Sequence, residues 1–183
     1  MRQVTLFIAM SLDGYIADRA GNIDWLSGQV PGADDMVSYQ NFIKEIDTVI
    51  MGWNTYHQIV SELSPDEWPY HGLKSYVVTH RQLPSTREIQ YVNEDVGRLV
   101  KTLRSAKGRG IWICGGAQLV NPLISENLID RYHISVIPTL LGDGIRLFEK
   151  RDSELKLQCI ATQTYNGITD LIYERRLQEV FHK

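Results

Sequence analysis

Valine- and isoleucine-rich runs alternate with stretches of helical spacing along the first 125 residues. "VTLFIAM" (4–10) predicts a strand. "ADDMVSYQNFIKEI" (33–46) sets Met36, Val37, Phe42, Ile43 and Ile46 at roughly helical spacing, and "DTVIM" (47–51) predicts a buried strand. "NTYHQIV" (54–60) predicts a short helix, "SYVVTH" (75–80) and "REIQYV" (87–92) two strands, and "VGRLVKTLRSA" (96–106) a helix with its basic residues outward. "GIWIC" (110–114) and "AQLVNPLIS" (117–125) add a strand and a helix, with Pro122 expected to kink that helix or mark a first turn.

Past residue 130 the rhythm changes. "RYHISVIPTLLG", "LKLQCIATQTY" and "ITDLIYERRL" predict three strands, with Tyr165-Asn166-Gly167 as a hairpin turn between the last two. The strand–helix order before residue 130 implies a largely parallel sheet covered on both faces. Without repeats, low-complexity stretches or a linker, the expectation is one mixed-sheet α/β domain over residues 1–183.

Composition adds exclusions. The chain is 43% hydrophobic and 22% charged, enough apolar material for a core. A net charge of -3 argues against nucleic acid as a partner and favours small molecules or further copies of the chain. The N-terminal apolar run is too short for a membrane span and lacks a secretory cleavage site. Cys114 and Cys159 stand singly in apolar segments and read as buried reduced thiols, and a cytoplasmic location follows.

Candidate chemistry collects where a strand ends and a helix opens, in "IMGWNTYHQI", "WICGGAQLV" and "VVTHRQLPS". Helix N-termini present unpaired N–H groups that suit phosphate oxygens, and glycine lets a ligand approach the backbone. Each junction taken alone is equally a tight connection. The dinucleotide, P-loop, nucleophile-elbow and zinc motifs are missing from the sequence, so spacing alone reaches a phosphate-bearing small-molecule site with no metal.

Taken in order, "SLDGYIA" (11–17), "DTVIMGWNTY" (47–56), "YVVTHR" (76–81), "IWICGGAQLV" (111–120) and "PTLLGDGIRLF" (138–148) resemble the dihydrofolate-reductase-like superfamily. The branch the chain resembles most is the reductase domain of the bifunctional riboflavin-biosynthesis deaminase–reductase. The deaminase zinc signature is absent, so a stand-alone reductase domain is expected. The resemblance implies a three-layer α/β fold with a mostly parallel central mixed sheet, a homodimer, and NADPH-dependent hydride transfer to a C=N or C=O bond. A nucleotide-binding module of the same fold without catalysis is the alternative.

Carried over by position, the resemblance places Ala9, Asp13, Gly14 and Ile16 beside the nicotinamide and ribose. Gly52, Trp53, Asn54 and Thr55 fall at the diphosphate, and Thr79, His80 and Arg81 at the adenosine ribose. Gly115, Gly116, Ala117, Gln118 and Leu119 form the other wall, with a cis Gly115–Gly116 bond implied. Trp53 stands where the family often has arginine. The acid near the substrate nitrogen falls to Asp35, beside Asp34 on the first helix, with Met36 in gap-free register. Asp13 is a second catalytic candidate, or the cap of the turn before Gly14. Trp25, Leu141 and Gly142 are candidate substrate-pocket residues. Arg81 reads as a 2′-phosphate ligand or a solvated loop residue; His57 reads as lying on a helix face near the cofactor helix and His133 on a strand, neither with metal-ligand company.

Overall fold

The computed structural model describes residues 1–33 and 36–176. In chain order it contains β1 (Val4–Ser11), β2 (Tyr15–Ala17), α1 (Val37–Ile43), β3 (Ile46–Gly52), α2 (Trp53–Gln58), β4 (Lys74–Val78) and β5 (Ile89–Val92). There follow α3 (Val96–Ser105), β6 (Gly110–Gly115), α4 (Ala117–Ser125), β7 (Arg131–Ile137), β8 (Ile145–Arg146), β9 (Leu157–Tyr165) and β10 (Ile168–Arg175). Eight strands pair in the order β5-β4-β3-β6-β1-β7-β10-β9, and β10 is antiparallel to both its neighbours while the other pairs are parallel. β2 and β8, too short to announce themselves in the pattern, make a separate ribbon.

Alternation along the strands sorts side chains to two faces. On one face Leu6, Ile50, Ile111, Ile113 and Ile134 bury against Leu99, Val100, Val120 and Leu123 of α3 and α4. On the other, Val49, Met51, Val77 and Trp112 bury against Phe42 of α1, Ile59 and Leu73. This is the expected three-layer arrangement. Helix α3 starts at Asp95, whose carboxylate accepts the Arg98 N–H at 2.9 Å, a side-chain N-cap. Pro122 lies inside α4 rather than in its first turn.

Three expectations change. The helix foreseen over 33–46 is described only over Val37–Ile43, because Ile46 already belongs to β3. Cys159 is exposed, since β9 ends the sheet and most of its residues meet solvent; Cys114 is half-buried. Extension of β4 stops at Val78, where the Thr79 hydroxyl accepts the Arg81 N–H at 3.1 Å and turns the chain. The hairpin between β9 and β10 stands as expected, with Asn166 and Gly167 both at positive φ. No helix among the described residues is long and apolar enough to cross a membrane.

Candidate functional site

Parallel strands end together, and the connections after them leave a shared crevice. Here that crevice is a cavity of about 1500 Å³. Most residues the resemblance assigned to a cofactor line it: Ala9 and Ile16; Gly52, Trp53, Asn54 and Thr55; Thr79, His80 and Arg81; and the run from Gly115 through Leu119.

One part of the wall is largely backbone. Gly52 and Gly116 are the residues that open α2 and α4, and neither helix start has a side-chain cap. A Cβ placed on Gly52 meets Gly115 O and Gly116 N only at 3.9 Å, and one on Gly116 meets Thr55 Oγ1 at 3.8 Å. Protein packing therefore does not require glycine at either position; the added atom occupies cavity space. The Gly115–Gly116 peptide bond is cis, as the resemblance implies. Arg81, brought round by the turn at Thr79, lays its guanidinium 4.6 Å from the centre of the Trp53 ring. His80 Nδ1 lies 2.7 Å from Asn93 Oδ1, and Asn93 and Glu94 complete this side.

The other part is aromatic. Phe7, Tyr39, Tyr70, Trp112 and Cys114 line it, with ring centroids 6.3 Å apart for Phe7–Tyr39, 5.9 Å for Tyr39–Trp112 and 5.1 Å for Tyr70–Trp112. Burial pushes the Cys114 thiol up to about 12 and the Tyr39 and Tyr70 hydroxyls above their ordinary range. All three groups are neutral near pH 7.

Ser135 also lines the cavity, and behind it lies a fully buried carboxylate, Asp170. Burial opposes its charge, yet hydrogen bonds from His133, Ser135, Ser38 and Gln163 outweigh that and hold the carboxyl well below the usual carboxylate range.

Some assigned residues lie elsewhere. Asp13 and Gly14 are off the cavity wall. The Asp13 carboxylate accepts the Ser11 hydroxyl at 2.6 Å and the Leu141 and Gly142 N–H groups at 3.1 and 2.7 Å. Chiefly the Ser11 bond, with backbone donors including Gly142 and Leu141, lowers its pKa to about 2 against the opposing effect of desolvation. These bonds clamp the 140–144 loop to the first loop, the structural role named beside the catalytic one for Asp13. Leu141 and Gly142 face a separate depression of about 550 Å³, shared with Asp18, Arg19, Ala20 and Asp143. Trp25 is half-buried and off the cavity wall, which Ile23 and Leu26 of the same stretch reach instead. Asp35, with Asp34, lies outside the described residues.

The aromatic end and the Asp170 cluster escaped the sequence reading. One signal was present: Arg131, His133 and Ser135 are polar at a spacing of two along β7, so all three share one face. His57, expected on a helix face near the cofactor helix, lies in α2 and lines the cavity with its ring 5.6 Å from Trp53.

Comparison with known proteins agrees with this fold. The chain is 39% identical over 175 residues to the uncharacterized protein YwjB of Bacillus subtilis (strain 168), covering 95% of this chain and 98% of YwjB. A crystal structure of a putative riboflavin biosynthesis protein from Shewanella sp. PV-4 matches with a TM-score of 0.81 and 29% identity, covering 96% of this chain and 99% of that one. The diaminohydroxyphosphoribosylaminopyrimidine deaminase/5-amino-6-(5-phosphoribosylamino)uracil reductase of Thermotoga maritima shares the fold, with a TM-score of 0.69 at 13% identity. That match covers 96% of this chain but 57% of the Thermotoga chain. Residues 2–169 match the RibD C-terminal domain, and the chain belongs to that family.

Proposed function

We propose that the chain is an NADPH-dependent reductase that delivers hydride to a C=N or C=O bond of a small heterocycle, in the manner of 5-amino-6-(5-phosphoribosylamino)uracil reductase or dihydrofolate reductase. The observation that carries this reading is one cavity joining a glycine-walled, uncapped pair of helix starts to an aromatic end. The backbone part fits a dinucleotide: Gly52 and Gly116 leave room for a diphosphate, and Arg81, held over Trp53, offers a guanidinium to a 2′-phosphate. When bound, NADPH supplies the hydride. The chain's own part is to hold the cofactor, to seat a planar substrate against Phe7, Tyr39 and Trp112, and to exclude water there. Tyr39, Tyr70 and Cys114 orient the substrate as neutral hydrogen-bonding groups.

Glu94 favours one variant of this reading, because a carboxylate beside the ribose is what an NADH site uses for the 2′-hydroxyl. We propose too that the chain is a homodimer, as the riboflavin-branch resemblance implies, and we place the second copy on β9, the exposed edge strand carrying Cys159 and Ile160; sedimentation as a monomer would remove that part. Titration with NADPH and NADH, followed by the decay of reduced-nicotinamide absorbance with heterocyclic imines and carbonyls, tests the main reading. Binding with turnover of an acceptor is expected. Binding without turnover across the panel turns the reading to a nucleotide-binding module, and no binding ends it.

A further inference from the structure

Register across the sheet sets Ala9, Ser135 and Asp170 side by side on β1, β7 and β10, and directly paired residues share a face. Ala9 and Ser135 reach the cavity; Asp170 lies behind them, fully buried. Its Oδ1 accepts the Ser135 hydroxyl at 2.6 Å and the Tyr165 hydroxyl at 3.1 Å. Its Oδ2 accepts the Ser38 hydroxyl from α1, His133 Nε2 at 3.0 Å and the Gln163 amide at 2.7 Å. Gln163 also donates to Ser38 Oγ at 2.8 Å.

An ionised carboxylate accepts and never donates, whereas a serine hydroxyl has one hydrogen and two lone pairs. Bonded to Asp170, Ser135 has spent its hydrogen, so toward the cavity it offers lone pairs alone. Among the residues of this cluster, Ser135 is the one on the cavity wall. Phe7 and Ala9, on the neighbouring strand β1, line the same wall. A buried charge needs several donors to be tolerated, and here five side chains are spent on one carboxylate whose outlet is a single oriented oxygen.

We propose that Asp170 is a positioning residue that fixes Ser135 as an acceptor at the aromatic end, and that the substrate presents an N–H or NH2 group of a planar heterocycle to it. This rests on the reductase reading of the cavity. A substrate with a carbonyl at that point meets lone pairs and is disfavoured; an amino group donates to Ser135 while its ring lies along the aromatic side chains.

The test compares 2-aminoquinazoline with 2-methylquinazoline, which share a ring and differ by a donor against a methyl of similar size. Each is titrated into the protein with and without NADPH, and NADPH affinity is measured separately. The amino probe should bind about tenfold tighter, the scale of one hydrogen bond made to a fixed acceptor. Ser135→Ala should bring the two probes together by weakening the amino probe alone, with NADPH affinity unchanged. Asp170→Asn, whose amide can donate to Ser135 and turn its hydrogen outward, should shrink the ratio too; if that variant does not fold, Ser135→Ala decides alone. Equal wild-type affinities, no binding of either probe, or an unaltered ratio in Ser135→Ala overturns the proposal. Failure of NADPH to bind defeats the reductase reading instead, and the probe ratio measured without it still judges Ser135.

Discussion

The two ends of the cavity are built in opposite ways. The end formed by Gly52, Gly116 and the starts of α2 and α4 is backbone, made by residues adjacent in sequence at two junctions. The end behind Ser135 is side chain, drawn from α1, β7, β9 and β10, with Ser38 and Asp170 132 positions apart. A backbone-built wall binds by leaving space, so its residues stabilise little. A side-chain-built wall is also part of the core, so its residues carry stability and orientation at once.

The largest expected effect breaks the side-chain end. Asp170→Ala leaves five donors of Ser38, His133, Ser135, Gln163 and Tyr165 without their shared acceptor in a buried place. Stranding buried partners in this way costs about 3–5 kcal/mol of stability, which chemical denaturation should read directly. A loss below about 1 kcal/mol, within the range of a single ordinary hydrogen bond, would mean that the cluster is not the unit drawn here.

At the backbone end the expectation inverts. Gly52→Ala adds a methyl that the protein accommodates, with its nearest neighbours at 3.9 Å and an unstrained extended backbone, φ -79° and ψ 165°. Stability should barely move. NADPH affinity should fall by on the order of ten- to a hundredfold, the scale of 1–3 kcal/mol for overfilling a packed contact. Unchanged affinity with an unchanged melting temperature would make Gly52 a mere connection.

This contrast also explains what the sequence disclosed. Gly52, Gly115 and Gly116 sit where periodicity switches from strand to helix, so a backbone-made wall leaves a local signature. Alternation likewise gave the buried strands and both helix-covered faces. Asp170 leaves no such trace: "ITDLIYER" shows one aspartate in a strand, and its five partners become visible only once β7, β9, β10 and α1 are packed. Tyr70 and Trp112 are similarly far apart in the chain, and nothing in either neighbourhood marks a shared wall. Arg81 was legible as a residue but not as a geometry. The strand expected over 75–80 stops at Val78, and the turn at Thr79 carries Arg81 onto Trp53.

Arg81 therefore sharpens the comparison within the backbone end, where, on the reductase reading proposed above, one side chain sets cofactor choice. NADPH should bind at least about tenfold tighter than NADH, since a charge-assisted phosphate contact is worth about 1.5–3 kcal/mol. Arg81→Ala should erase most of that ratio by weakening NADPH alone. Glu94→Gln should raise it, because a carboxylate facing the same ribose repels a 2′-phosphate. Titrating both cofactors against the three proteins checks this, and a wild-type preference for NADH would hand the discrimination to Glu94.

The smallest effect concerns the clamp that borders both ends. Asp13 ties the 140–144 loop to the first loop, and the ribbon beside it, β2 with β8, contributes Ile16 and Ile145 to the cavity wall. The Asp13 carboxyl stands at about 2 against an ordinary 3.8, so the folded protein favours its charged form. A depressed carboxyl pKa gives a contribution that is full above the unfolded value and fades as pH falls through the folded one. The clamp should thus be intact above about pH 4 and lost between about 4 and 2. Asp143, bonded to Arg19 on the neighbouring loop, and the buried Asp170 are lowered as well, so wild-type melting alone does not isolate Asp13. Asp13→Asn does, because those groups are common to both proteins and an amide oxygen serves fewer donors than a carboxylate. The melting temperature of the variant should lie slightly below that of the wild type at pH 7, with the gap closing as the buffer is taken from pH 4 toward pH 2. A gap that stays constant through that window would show that the ionised carboxylate does not hold the two loops together.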